Sequence, residues 1–331
     1  MGVYEVLTQD NVRRMRLPHV TRRQALILGS GAAGAMLGPQ AATATQRIAR
    51  GPVLRQHGKL PAQHIQDVIG AEGSVSGGVL GIGINRTDIG NVKGPGGVTF
   101  TPSFEISGDL TFQPLGSHHA FFNGDLALKA SELNPVIDAI LANGLVFQAM
   151  HQHYFDLDPM VWFIHFHGQG HPLKLAAAVR RVLDATSTPL PQKSPSDPKT
   201  PLDHAKLAKI LHGSSEIGAD GVVTITVNRK GPIRINDVQV SPEANISTNI
   251  AFLPLDAAGT QAAAAPDFSM TAGEVDAVCK TMRTHGFEIG CLYNQETGEH
   301  PQLYFAHMIA TGQPENLAAA IRKGLDHTHA D

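Results

Sequence analysis

The feature that most limits how this chain can fold is an internal repeat. Residues 132–186 align without a gap on residues 274–328, at a constant offset of 142, so that Glu132 meets Glu274 and Thr186 meets Thr328. Gly144/Gly286, Pro159/Pro301 and His165/His307 recur in step, as does the run Leu-Ala-Ala-Ala beginning at Leu175 and Leu317. Upstream, Gly70–Arg86 matches Gly213–Arg229, and Pro102–Leu115 matches Pro242–Leu255. Helical and strand periods are kept throughout, so each copy is one supersecondary unit that buries its apolar face against its surroundings. The expected fold class is α+β. It is a tandem duplication of a strands–helix–strand–strand–helix unit, with the two halves packed as pseudo-twofold partners. The first repeat spans 55–186 and the second 204–328. Between them, 187–203 is rich in Pro, Ser and Lys and reads as an irregular linker.

Periodicity places the elements within a copy. His64–Gly70 reads as a short helix closed by a C-capping glycine. Val79–Arg86 alternates as a strand, and further strands are expected around Leu110–Phe112 and Ala120–Leu128. Asn91–Gly97 reads as a glycine-rich loop. A helix from Glu132 precedes two strands, one ending in His151 and His153, the other in His165 and His167. The six-residue connection Tyr154–Pro159 suits antiparallel neighbours. Leu173–Leu183 is an amphipathic helix with Leu175, Ala176, Val179 and Leu183 on one face.

Composition excludes several function classes. A net charge of −3 gives no basic footprint for nucleic acid, and 5 % aromatic residues give no base-stacking surface. Two cysteines against 17 histidines exclude a thiolate site of the zinc-finger type. Cys279 and Cys291 read as buried small side chains. The N-terminus reads as an address: Arg22-Arg23 inside a twin-arginine pattern, an apolar run Leu26–Leu37 too short to span a membrane, then a small-x-small site at Ala42-Thr43-Ala44. Residues 1–44 are therefore expected to be a twin-arginine signal peptide, with Met15 an alternative initiator, and the mature protein periplasmic or secreted.

The differences between the copies carry the functional argument. Positions kept in both are explained by a shared fold, and positions that change chemistry are free for function. His151 becomes Tyr293, His153 becomes Gln295 and His167 becomes Ile309. Strand residues two apart share a face, so His151 points with His153, and His165 with His167. Imidazole suits Zn, Cu, Fe or Ni. The candidate metal ligands are His151, His153, His165, His167 and Glu132, the last also readable as a structural helix-terminal residue. Zinc is the first choice. The second repeat is then the degenerate scaffold. His118, His119 and His171 form a weaker signal. Asp156 and Asp158 would be general bases if the metal served hydrolysis. HxH followed by acid and histidine is also a cupin pattern, but this motif lies between two helices, which that barrel does not have. No nucleophile elbow, phosphate loop or HExxH helix is present, and Gly81-x-Gly83 sits inside a strand.

The pattern E-x-N-P-V, then NG, A-x-H-x-H, P, H-F, G-x-x-x-x-L-A and LD resembles the bacterial LppY/LpqO-type family, which carries a domain of unknown function. It falls here on Glu132, Asn134, Pro135, Val136, Asn143, Gly144, Ala149, His151, His153, Pro159, His165, Phe166, Gly170, Leu175, Ala176, Leu183 and Asp184. The resemblance implies boundaries near 55 and 328 and no particular reaction. Two members that give the family its name are lipoproteins, whereas no lipid-anchor cysteine follows the apolar run here, so no membrane anchor is expected. Two other readings follow from the residues: a metal-free module holding a glycan or peptide in a cleft between the repeats, and a hydrogen-bonded histidine core with no ligand.

Overall fold

The computed structural model describes residues 52–330. The signal-like segment 1–44 lies outside them. The first repeat runs α1 (Ala62–Ile69), β1 (Ser74–Ser76), β2 (Val79–Asn85), β3 (Val92–Lys93), β4 (Thr99–Phe100), β5 (Ser107–Pro114), β6 (Ala120–Leu128), α2 (Leu133–Ala142), β7 (Val146–His151), β8 (Trp162–Gly170) and α3 (Pro172–Leu183). The second runs α4 (His204–Leu211), β9 (Ser214–Ile217), β10 (Val223–Val227), β11 (Ile233–Ile235), β12 (Val238–Val240), β13 (Thr248–Pro254), β14 (Ala262–Thr271), α5 (Val275–Thr284), β15 (Glu288–Ile289), β16 (Glu299–His300), β17 (Leu303–Gly312) and α6 (Pro314–Leu325).

Local chemistry sets the helix ends. Gly70, in the left-handed region at φ 79°, closes α1 by returning its N–H to the Gln66 carbonyl. Asp203 caps α4 by accepting from the Lys206 N–H at 3.0 Å. Pro172 and Pro314 open α3 and α6, where a missing N–H costs nothing.

Each repeat builds one antiparallel six-stranded sheet. The orders are β1-β2-β5-β6-β8-β7 and β9-β10-β13-β14-β17-β15, the same sequence of equivalent strands. Strand alternation then sorts the side chains. Leu110, Phe112, Phe122, Leu126, Ile164 and Phe166 bury against α1, α2 and α3, and Ile250, Phe252, Phe268, Met270, Ala306 and Met308 against α4, α5 and α6. The residues between them face the other way. Ala127 and Phe163 from one sheet share a third core with Ala251, Ala263, Ala265 and Ile309 from the other. Phe121 and Val79 meet Leu303 and Phe305 in a fourth. The order of layers is thus helices, sheet, sheet, helices. Each bulky side chain buried in these cores contributes roughly 1.5–3 kcal/mol.

Three expectations change. Asn91–Gly97 is not a plain loop: β3 pairs with β4, and Lys93 exchanges both backbone hydrogen bonds with Asp158. The 187–203 segment has no helix or strand, yet it is fastened to the first repeat, where the Gln192 side chain bonds both backbone groups of Asn85. Simple alternation would set Phe147 and His151 on one face, but a register shift between Phe147 and Ala149 inserts Gln148. That bulge turns Phe147 to the helices and His151 to the space between the sheets. No helix among the described residues is long and apolar enough to cross a membrane.

Candidate metal centre

The inner sheet faces are apolar at their margins and polar at one place, where β6 and β8 oppose β14 and β17. In each sheet an aspartate is paired in register with a histidine: Asp125 with His165, and Asp267 with His307. These four residues are equivalents at the offset of 142, so the fold brings a matched Asp–His pair from each repeat to the same region.

His153 joins them from the chain just past the end of β7. Its ring lies face to face with Phe163 at 3.3 Å and with His307 at 3.4 Å between centroids. His153 Nδ1 is 2.8 Å from Glu105 Oε2, and His307 Nδ1 is 3.2 Å from the same oxygen, an ion-pair distance without hydrogen-bond alignment. The ligating atoms of Glu105, His153 and His307 all lie within 4.8 Å of one another, and so do those of His151, Cys291 and His307. His151 stacks on Tyr293 at 3.6 Å and is 5.1 Å from the rings of both His153 and His165. Both nitrogens of His151, both of His307 and Nε2 of His165 are buried without a hydrogen-bond partner. Such orphaned groups cost about 1–3 kcal/mol each unless something satisfies them.

The electrostatics suit a cation. Burial would raise the Glu105 carboxyl, but His307 and His153 outweigh it and hold it down at about 2. Burial and the neighbouring imidazoles push His153 and His165 down to about 3, and His151 well below its ordinary value. Those rings are neutral near pH 7 and present lone pairs, the form in which imidazole ligates. His307 is the exception: burial opposes its charge, yet Asp267 and Glu105 raise it. Burial lifts Asp267 to about 6, against the pull of His307.

The backbone at Glu105 is also telling. Its φ is +69°, and its equivalent Asn245 has φ +61°. Asparagine tolerates this left-handed turn, whereas glutamate pays about 1–2 kcal/mol for it. A strained glutamate whose carboxylate touches two buried histidines is the mark of a functional position.

The expected residues divide. His151, His153 and His165 come together. His167 faces the same layer two residues along, beside Phe121, but its Nδ1 meets Glu296 at 3.0 Å rather than the cluster. Glu132 is not in the cluster, and its oxygens are spent elsewhere. Oε1 accepts from Ser187 N at 2.8 Å and Ser187 Oγ at 2.7 Å, Oε2 accepts from Lys129 N at 2.9 Å, and the Arg86 guanidinium reaches both. The second repeat repeats this latch with Arg229, Glu274, Thr271 N and His329 N. Glu132 is therefore a structural residue. Asp156 is an exposed turn residue, and Asp158 holds β3 through its backbone. The cluster's carboxylates are Glu105, Asp125 and Asp267 instead. His118 lies beside His171, 6.2 Å between rings. The second repeat is no bare scaffold, because it supplies His307, Asp267, Tyr293 and Cys291. Two signals pointed to these residues in the sequence: an aspartate in the middle of an apolar strand, and its recurrence in both copies.

Fold and cluster together define a duplicated α+β protein with a shared histidine–carboxylate centre between its two sheets. The chain belongs to the family of the Domain of Unknown Function DUF1259, which matches residues 63–185 and again 205–327. No curated protein matches the chain. Among solved structures, it is similar to the trimeric bacterial microcompartment shell protein PduB at 12 % identity and a TM-score of 0.19, over 78 % of this chain and 89 % of that one. It is likewise similar to EtuB from Clostridium kluyveri at 11 % identity and a TM-score of 0.18, over 77 % and 90 %.

Proposed function

We propose that this chain is an exported metal-binding protein of the LppY/LpqO type, in which Glu105, His153 and His307 hold a divalent transition metal, zinc first. The observation that carries this reading is the convergence of buried imidazoles on an ionised glutamate, with both nitrogens of His151 and His307 and Nε2 of His165 left without a hydrogen-bond partner. In apolar surroundings that arrangement is costly without a cation and favourable with one. His151, His165 and Cys291 stand next to the trio as further donors, with Cys291 favouring softer metals such as copper. Because each trio takes residues from both repeats, the reading includes the halves facing each other as approximate twofold partners. Such a centre suits binding or handling of the metal and metal-assisted hydrolysis alike.

A second reading is a metal-free module that holds a neutral ligand such as a glycan between the repeats. The observation favouring it is a cleft of about 390 Å³ beside the cluster, lined by side chains such as Ser107, Thr111, Thr224, Thr226 and Asn249. Elemental analysis of the full chain beside a Glu105→Ala/His153→Ala variant separates the two. The expected result is about one metal per chain, lost in the variant. No metal in either protein, even after incubation with Zn, Cu, Ni and Mn, overturns the metal reading and leaves the ligand cleft. Export is tested by fractionating cells that carry Arg22→Lys/Arg23→Lys. Unchanged localisation would remove the twin-arginine assignment.

A further inference from the structure

The cleft beside the histidines has a floor that packing does not explain. Along β2, Leu80, Ile82 and Ile84 are buried toward the helices, while Gly81 and Gly83 alternate with them on the inner face. A Cβ added at Gly81 would meet nothing within 4 Å, and one at Gly83 would only approach Asp109 Oδ1 at 3.8 Å. Glycine in a strand weakens it, and here no close backbone contact calls for it at Gly81. Both positions have φ in the ordinary range. The equivalents in the second repeat are Thr224 and Thr226, which line the same cleft. What Gly81 does is leave space in the cleft.

The walls of that space carry carboxylates at graded depth. Glu216 on β9 is exposed at the mouth. Asp109 on β5 is reached by solvent but enclosed by protein on most sides. That enclosure, and then Glu216, push its carboxyl up to about 6. Asp125 follows, accepting from the Asp109 N–H at 2.9 Å. Innermost are Asp267, 19 % exposed, then Glu105 at 9 % and His307 at 6 %. Among the described residues, no lysine or arginine lines the cleft. The inner end of the row meets the unpartnered nitrogens of His165 and His307, so the carboxylates lead to groups that themselves need a ligand.

We propose that this cleft is the entry path for the metal, along which a hydrated divalent cation passes from Glu216 by way of Asp109 and Asp125 to Glu105, His153 and His307. The inference rests on the metal reading above. A channel lined by one sign of charge concentrates counter-ions and speeds their arrival by roughly 10–1,000-fold, most strongly at low ionic strength. The floor at Gly81 leaves width for an ion that still carries water, and the Ser and Thr hydroxyls can replace lost hydration. The same lining repels phosphorylated and carboxylated molecules, so an anionic substrate is not expected at this centre.

The test is the rate of cobalt(II) uptake by the metal-stripped full chain, followed by its ligand-field absorbance in a stopped-flow instrument. An Asp109→Asn/Glu216→Gln variant is expected to load about ten-fold more slowly at low salt, with the gap closing as salt is raised. Its spectrum at saturation should be unchanged, because the ligating atoms are untouched. Gly81→Leu, which fills the floor without meeting neighbours at Cβ, should load slowly at every salt concentration. Thermal melts confirm that both variants are folded, and Glu216→Gln alone, at an exposed position, serves if the double variant is not. Cobalt bound at the wild-type rate by all variants overturns the path while leaving the metal centre standing. No cobalt bound by the wild-type chain overturns the centre and the path with it.

Discussion

The two repeats share a sheet order and a buried latch, yet they differ at the turn that feeds the cluster. In the first, Glu105 meets His153. In the second, the equivalent contact is Asn245 with Gln295, whose amide donates to the Asn245 carbonyl. Both turns use the same left-handed backbone. These neutral amides are met by backbone carbonyls, Gln295 by that of Asn245 and Asn245 by that of Asp109, and carry no charge to balance. An ionised glutamate between His153 and His307, beside imidazole nitrogens that have no partner, does not reach that balance alone. The comparison teaches that the fold can close this turn with either chemistry, so the ionisable version in the first repeat is there for something beyond folding. By contrast the Arg–Glu pair of the latch, Arg86–Glu132 and Arg229–Glu274, recurs in both, even to Nη1 of each arginine donating to a strand carbonyl, Ala127 or Ser269, while Asp88 joins the first and His329 the second. Sameness there speaks for structure.

The latches give the largest expected effect. Glu132→Ala leaves the Arg86 guanidinium, only 1 % exposed, with Asp88 as its remaining counter-charge, and strips the Lys129 and Ser187 N–H groups of their acceptor. Glu274→Ala, which takes the ion-pair partner from buried Arg229, should cost about 3–5 kcal/mol in urea unfolding, and Glu132→Ala somewhat less, because Asp88 stays paired with Arg86. Metal content per folded chain should not change in either. Loss of metal from Glu132→Ala at unchanged stability would break the division into shared scaffold and unshared function.

Next comes the swap of one turn's chemistry for the other's. Glu105→Asn gives the first repeat the residue of the second. Metal affinity should fall by more than about 100-fold, as for removal of a ligand rather than of its support. The stripped protein should unfold at equal or higher urea, since asparagine relieves roughly 1 kcal/mol of left-handed strain. Asn245→Ala should leave affinity within about two-fold, because its side chain reaches the Asp109 backbone carbonyl and no ligating atom. Equal losses from the two substitutions, read by competition with a chromophoric chelator, would remove the distinction between the repeats.

The reverse graft sharpens the same point. Asn245→Glu/Gln295→His installs the first repeat's pair in the second, where His165 is the equivalent of His307. If the halves are related by an approximate twofold, a second metal should bind, giving about two per chain by elemental analysis. Retention of the original stoichiometry in a folded variant would mean that the repeats do not face each other symmetrically at this centre.

Much of this was legible in the sequence, for reasons that also explain what was not. The duplication, the helices from Leu133 and Pro172, and the antiparallel pairing of β7 with β8 follow from periodicity and short connections, which are local. The convergence of His151, His153 and His165 follows from the same rules. Gln148 was hidden because a one-residue bulge leaves the apolar pattern almost intact while reversing the face of what comes before it. His307 was discounted because sharing between copies reads as structure, although a shared residue can be used in one copy's site by packing across the interface. Glu105 stands 48 residues from His153, with nothing in the intervening sequence to tie them. The fastening of 187–203 was invisible because Ser187 reaches Glu132 only through the folded chain.

The last effect concerns a buried acid that the first repeat lacks. Glu299 occupies the position of Leu157 and is 1 % exposed. Its Oε2 accepts from the Leu303 N–H at 2.7 Å, while Oε1 has no partner. Burial, with help from Glu296 and against the Leu303 bond, lifts its carboxyl from 4.5 to about 8. The sign is that of a carboxylate raised on folding: the unfolded chain gives up this proton first, so the folded state loses stability from about pH 4.5 upward until about pH 8, where both states are ionised. Glu299→Gln keeps an acceptor for Leu303 and removes the charge. The difference in urea midpoint between Glu299→Gln and wild type should therefore grow in favour of the variant from pH 5 to pH 8 (approximate ends of that window). A constant difference across that range would show that the second repeat carries this acid at no electrostatic cost, and that its leucine counterpart in the first repeat is a change of shape alone.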